Sequence, residues 1–98
     1  MSGEALAYEI MEQFGTKDVF VLCEKCTIEL IYNAWFPSTI GEFDQKTNTI
    51  TVNLKAKIDQ KYIIAHELGH YFIHRKGLKL SRSEEEKIVE DFAKSLIE

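Results

Sequence analysis

Long apolar runs are missing from this chain. No stretch approaches the roughly 18 residues that a membrane-crossing helix needs, so no membrane partner is expected. Proline occurs once and glycine five times in 98 residues, which excludes collagen-like and low-complexity classes. With 45% hydrophobic residues the chain is also not of the disordered class. Cysteine is scarce. Cys23 and Cys26 form a lone C-x-x-C. A zinc ribbon needs four such ligands, and a redox pair normally opens a helix after a strand, a context absent here. The two read as small residues on one helix face. A basic excess is absent as well: 12 Lys and Arg stand against 16 Asp and Glu, which argues against direct nucleic-acid binding. A secretory signal begins basic and then turns apolar. Residues 1–12 instead carry Glu4, Glu9 and Glu12 and no Lys or Arg, so the expected compartment is the cytoplasm.

What is present suits one small domain spanning residues 1–98. A chain of this length buries only about 60–65% of its unfolded surface, so its core is thin. Charge is uneven along it. Lys55, Lys57, Lys61, Arg75, Lys76, Lys79 and Arg82 form a basic region, and Glu84, Glu85, Glu86, Glu90, Asp91 and Glu98 make the end acidic. Both read first as solvated faces.

Periodicity places the elements. Leu6, Ile10, Met11 and Phe14 recur at helical spacing, with Ser2 as cap and Gly15 as stop, and predict a helix over 2–14. Thr16 can cap a second helix over 17–26, with Val19, Phe20, Val21 and Cys23 as its apolar side. Residues 27–32 are β-branched and aromatic enough for a strand. Pro37 and Ser38 break the pattern, and Trp35 and Phe36 before them read as core. Residues 39–43 and 49–54 flank turn chemistry at 44–48 and look like a hairpin. From Ile58 to Arg75 the period is helical, Lys76-Gly77 is a stop, and Ser81 or Ser83 caps a last helix with Ile88, Val89, Phe92, Ala93 and Leu96 inward. The class is α+β.

The chemistry lies in residues 66–70, His-Glu-Leu-Gly-His, an H-E-x-x-H inside a predicted helix. Histidines four apart stand one turn apart on one face, so both imidazoles reach one ion, and zinc takes such nitrogens. Glu67 is placed beside the pair rather than on the ion. Zinc lowers the pKa of a water it holds to about 7, and a neighbouring carboxylate can take the proton. His66 and His70 are thus ligands and Glu67 the general base. Gly69 costs about 0.8–1 kcal/mol relative to Ala in a helix, and close approach of another element is the natural compensation. A catalytic site needs a third protein ligand. His74 lies about 12 Å along the axis from His66, too far to share the ion with both others. Glu84, Glu85, Glu86, Glu90 and Asp91 on the last helix are the candidates. Glu84 and Glu85 read as a solvated acidic first turn. Glu86 could bind the metal while Glu90 or Asp91 holds a ligand histidine. Tyr62, Tyr71 and His74 are candidate donors to a developing oxyanion.

These residues carry a resemblance. Ile50-Thr-Val-Asn-Leu, then Tyr62 to His74 with its H-E-L-G-H-x-x-x-H, then Glu86, Phe92-Ala93 and Leu96 resemble the ImmA/IrrE family of zincin metallopeptidases over about residues 39–97. The resemblance implies one zinc ion per chain on His66, His70 and a glutamate, with Glu67 as catalytic acid/base. Laying Phe92-Ala93 on the family's Phe-Ala places Glu86 on the ligand glutamate. The family's Ala-Asn becomes Val89-Glu90 here, and its frequent helix-turn-helix domain is absent. Family members often cleave or inactivate a DNA-bound repressor, so the implied partner is a protein substrate such as a helix-turn-helix repressor. The expectation is a minimal zincin-like domain with a small antiparallel sheet, whose strand 49–54, through Thr51, Val52 and Asn53, edges the cleft and pairs with an extended peptide. The rival expectation is a zinc-stapled binding module that regulates a partner without proteolysis.

Overall fold

The structure is a computed structural model and describes residues 1–35 and 39–98. Phe36, Pro37 and Ser38, expected to hold a hydrophobic residue and a break, lie outside the described residues. The order is α1 (Gly3–Phe14), α2 (Val19–Lys25), β1 (Glu29–Asn33), β2 (Gly41–Asp44), β3 (Thr49–Asn53), α3 (Gln60–Arg75) and α4 (Arg82–Ile97). The α+β class stands.

Local chemistry sets the boundaries. Ser2 caps α1 by accepting from the Ala5 amide, and Gly15 ends it in the left-handed region at φ 68°. Asp18, not Thr16, caps α2, accepting from the amides of Phe20 and Val21; the Thr16 hydroxyl accepts from Asp18 instead. In α2 Val19, Leu22 and Cys23 are buried while Phe20 and Val21 face outward. Ser81 caps α4, and Glu84 returns the contact to the Ser81 amide in a full capping box. Glu84 is therefore spent on the cap, and that bond holds its carboxyl below the usual carboxylate range.

The sheet departs from the antiparallel expectation. Its order is β1-β3-β2: β2 pairs antiparallel with β3, and β1 pairs parallel with it, Glu29 opposite Thr49 and Asn33 opposite Asn53. The physical reason is at Asn48. Its side-chain amide donates to the carbonyls of Cys26 (3.2 Å) and Thr27 (2.8 Å), tying the start of β3 to the turn that opens β1. Two strands that begin at one end run parallel. Thr51, Val52 and Asn53 thus lie in the central strand, paired on both sides, and cannot edge a cleft. The edge on that side is β2. Asn53 has a structural task instead. It is buried, donates to the Thr39 carbonyl (2.9 Å) and accepts from the amides of Trp35 (3.3 Å) and Lys55 (3.0 Å).

Helix α3 is the middle layer, with the sheet on one side and α4 on the other. Ile63, Ile64, Leu68 and Ile73 are fully buried in it, as are Ile50 and Val52 of β3 and Val89 and Phe92 of α4. Each such side chain stabilises by about 1.5–3 kcal/mol. Ile58 falls before α3 and is exposed, and Trp35 is half-buried. Cys23 is buried and Cys26 half-buried, both as free thiols. Burial, with Cys26 adding to it, pushes the Cys23 thiol up to about 12. Burial also raises Cys26, partly countered by the Tyr71 hydroxyl and Arg75. Neither is a ready nucleophile at neutral pH, in keeping with packing residues. Among the described residues, no helix is long and apolar enough to cross a membrane.

The expected close approach at Gly69 is present. A Cβ built there would lie 3.2 Å from Phe92 Cδ2, 3.2 Å from Val89 Cγ2 and 3.3 Å from Val89 Cα. The last is backbone and cannot rotate away. Gly69→Ala should gain about 0.8–1 kcal/mol of helix propensity and lose about 1–3 kcal/mol to overpacking. The expected net is a loss of roughly 1 kcal/mol, read from denaturant unfolding. A variant more stable than the parent would mean that the α3–α4 seam has slack.

Candidate metal centre

The H-E-x-x-H turn sits in the middle of α3, where the helix passes under both β2 and α4. His66 and His70 are one turn apart, with ring centroids 5.3 Å apart, and both are partly buried. Glu67 is buried at 5% exposure. Its Oε2 lies 3.3 Å from His66 Nδ1. A buried carboxylate is stable only with a partner, and His66 supplies it.

Glu86 reaches in from the first turns of α4. Its Oε2 lies 3.7 Å from His66 Nε2 and its Oε1 lies 3.4 Å from His70 Nε2. Two ligand atoms on a tetrahedral zinc with bonds of about 2.0–2.1 Å are about 3.3 Å apart. The donor set therefore has nearly the spacing an ion requires, with one oxygen turned toward each ring. His66, Glu67 and His70 also each offer a donor atom within 4.8 Å of the others. Two carboxylates thus compete for the third position. Glu67 approaches His66 at Nδ1, whereas Glu86 faces the Nε2 atoms of both rings. Either carboxylate could therefore complete a donor set with the two imidazoles, Glu67 from the Nδ1 side of His66 and Glu86 from the Nε2 side of both rings.

The charge around His66 has a visible effect. Burial works against its protonation, but the hydrogen bond and charge of Glu67, with Glu86 and Glu90 farther out, outweigh this and raise its pKa above the ordinary histidine value. An excess of carboxylates at two imidazoles is a setting that a divalent cation relieves.

The other expected residues divide. Glu90 is exposed and acts on His66 only through its field. Asp91 pairs with Lys87 (3.7 Å), and its Cβ lies against Gly3 of α1. The histidine-holding carboxylate is neither of these but Glu85, whose Oε2 is 2.5 Å from His70 Nδ1 and 3.7 Å from His74 Nε2. Glu85 is thus no solvated first-turn residue; its side chain is only 20% exposed. A signal for it was in the sequence, because Glu85, Val89, Phe92 and Leu96 share the i, i+4, i+7, i+11 stripe that α4 buries. The Tyr71 hydroxyl accepts from Arg75 Nη1 (3.3 Å) and is hydrogen-bonded to Cys26, and its ring shares Phe43 with His74. Tyr62 stacks beside His66 (centroids 6.1 Å) and its phenol is raised by burial and by Glu90 and Glu86, so it keeps its proton.

An open cleft of about 690 Å³ lies against this site, between β2 and α3. Glu42, Phe43, Asp44, Glu67, His70 and His74 line it. Phe43 packs over Tyr71 (5.7 Å, edge-on) and His74 (6.3 Å). Gly41 lets β2 lie directly on the metal helix: a Cβ there would stand 2.9 Å from Ile63 Cγ2 and 3.5 Å from Glu67 Cγ. These β2 residues were not foreseen, because their place follows from the strand order.

The fold is α+β, and His66, Glu67 and His70 of the H-E-x-x-H turn form a group that could hold a metal ion. One comparison with known proteins agrees. The chain is similar to the Metallopeptidase ImmA of Bacillus subtilis (strain 168), at 28% identity over 69 residues, 68% of this chain and 41% of that protein. The chain thus spans about two fifths of that relative's length. No family model matches it, and no solved structure matches it.

The purified protein should bind one divalent metal per chain, read by elemental analysis after reconstitution. His66→Ala, His70→Ala and Glu86→Ala should each lower the affinity by at least about tenfold, while Glu84→Ala and Asp91→Ala leave it within about threefold. Loss on Asp91→Ala with none on Glu86→Ala would show that α4 presents a different face.

Proposed function

We propose that this protein is a zinc-dependent peptidase. The observation that carries the reading is the convergence of His66, His70 and Glu86 at one point on the α3–α4 seam, with a buried carboxylate, Glu67, beside it. The similarity to a metallopeptidase supports the same class. A structural site has no need of a carboxylate at Glu67.

His66, His70 and Glu86 would hold the ion. When bound, zinc supplies Lewis acidity and a water whose pKa is brought near 7. The rest falls to the protein. Glu67 takes the proton from the attacking water and passes it to the leaving amine. Its burial keeps bulk water from competing for that proton. The free edge of β2 offers backbone groups that pair with an extended peptide and lay it along the cleft. His74, exposed at the cleft wall, is the side chain placed to donate to that peptide's carbonyl, with Tyr62 on the other side of His66. The substrate is a protein segment in extended form. A helix-turn-helix repressor is the proposed example, a choice that rests on the family resemblance alone.

Glu67→Gln decides between a peptidase and a zinc-stapled module that works by binding. The amide keeps size and hydrogen bonding but cannot take a proton. The variant should fold and hold metal like the parent while cleaving about 10²–10⁴-fold more slowly. The measurement is cleavage of a candidate repressor co-expressed with each form, alongside reporter output. Full derepression by Glu67→Gln with the repressor intact would overturn the peptidase reading in favour of binding.

A further inference from the structure

Glu85 has no part in the chemistry above, yet it makes the shortest polar contact at the site. Its Oε2 lies 2.5 Å from His70 Nδ1, and the same oxygen lies 3.7 Å from His74 Nε2. On the other side of the His70 ring, Nε2 faces Glu86 at 3.4 Å. Two consecutive residues of α4 therefore address the two nitrogens of one imidazole.

We propose that Glu85 is the positioning residue of the metal site, accepting the Nδ1 proton of His70 and so fixing both the tautomer and the ring plane that turn Nε2 toward the ion. This rests on the reading of His70 as a ligand. A neutral imidazole carries one proton, and whichever nitrogen keeps it cannot bind metal. A carboxylate at 2.5 Å from Nδ1 holds the proton there and leaves the Nε2 lone pair free. The ring is then also held against rotation about its χ angles, because Glu85 and Glu86 sit on one rigid helix. His66 has a weaker version of this arrangement, Glu67 at 3.3 Å from Nδ1, and Glu67 is the group needed for the chemistry. Orientation without proton exchange thus falls to Glu85 at the second histidine. His74, within 3.7 Å of the same oxygen, borders Glu85 on the cleft side.

Zinc titration against a chromophoric chelator, and the visible spectrum of the cobalt-loaded protein, read this directly. Glu85→Ala should bind zinc about 10–100-fold more weakly than the parent and shift the cobalt bands. Glu85→Gln keeps an acceptor oxygen and should recover most of the affinity. Nitrogen-15 spectra of the zinc-loaded parent should show a slowly exchanging His70 Nδ1 proton. Affinity of Glu85→Ala within threefold of the parent overturns the proposal, as does a rapidly exchanging Nδ1 proton in the parent. Glu85→Gln as weak as Glu86→Ala also overturns it, since Glu85 would then be a ligand. Should Glu85→Ala fail to fold, the parent spectrum and Glu85→Gln decide. A parent that binds zinc with this Glu85 dependence but cleaves nothing defeats the proposed function and leaves the inference standing. A parent that binds no zinc defeats both.

Discussion

The contact of α4 with α3 at Gly69 is the constraint on which the site depends. Gly69 lies between the two histidines in the same helix. Its missing side chain lets Val89 and Phe92 close to 3.2 Å of where a Cβ would stand. One turn before Val89 come Glu85 and Glu86, which by that approach are brought over His70 and His66. The helix-propensity cost of the glycine is offset by a seam that brings Glu86 to 3.7 Å from His66 Nε2 and 3.4 Å from His70 Nε2. A site assembled this way is coupled to packing: any residue that widens the seam weakens the reach of Glu86, whose side chain is already 46% exposed.

Negative charge is concentrated at this site. Glu67, Glu85 and Glu86 crowd two imidazoles, and Glu90 adds its field. Burial works against protonation of His66, but the hydrogen bond and charge of Glu67, with Glu86 and Glu90, outweigh it and raise its pKa. A pKa raised on folding contributes stability that is full below the unfolded value and fades as pH rises through the folded one. Above that pH the carboxylates face a neutral ring. A divalent ion held there would restore the balance where the proton has left, which is the pH range in which imidazole is a good ligand.

Much of this was legible in the sequence, and the rest was lost for definite reasons. Helical period, caps and stops placed all four helices to within two or three residues, because those signals are local. The spacing of His66 and His70, and the need for close approach at Gly69, are likewise local facts of one helix. Strand pairing is not. Residues 39–43 and 49–54 are neighbours in sequence and read as a hairpin, which they form. That β1 joins them from the other side, in parallel, depends on the Asn48 bonds across 21 and 22 residues. This one unforeseen pairing moved Thr51, Val52 and Asn53 from the edge to the centre and gave the cleft to β2.

The acidic end of the chain shows how a degenerate signal becomes specific. Glu84, Glu85 and Glu86 are chemically identical, and helix propensity, charge and capping preference do not rank them. Each step along a helix turns the side chain by about 100°, so only one rotation of α4 can be right. The acids do not set that rotation. Val89, Phe92, Ala93 and Leu96 set it, since all four are buried between α3 and α1. With the stripe fixed, Glu84 falls back on Ser81 at the cap, Glu85 continues the buried line toward His70, and Glu86 stands one step around, between the two Nε2 atoms. A slip of one residue would bury the wrong carboxylate and expose Phe92, a loss of about 1.5–3 kcal/mol from that side chain alone. Three roles for three adjacent glutamates thus follow from four apolar residues that carry no donor atom of their own.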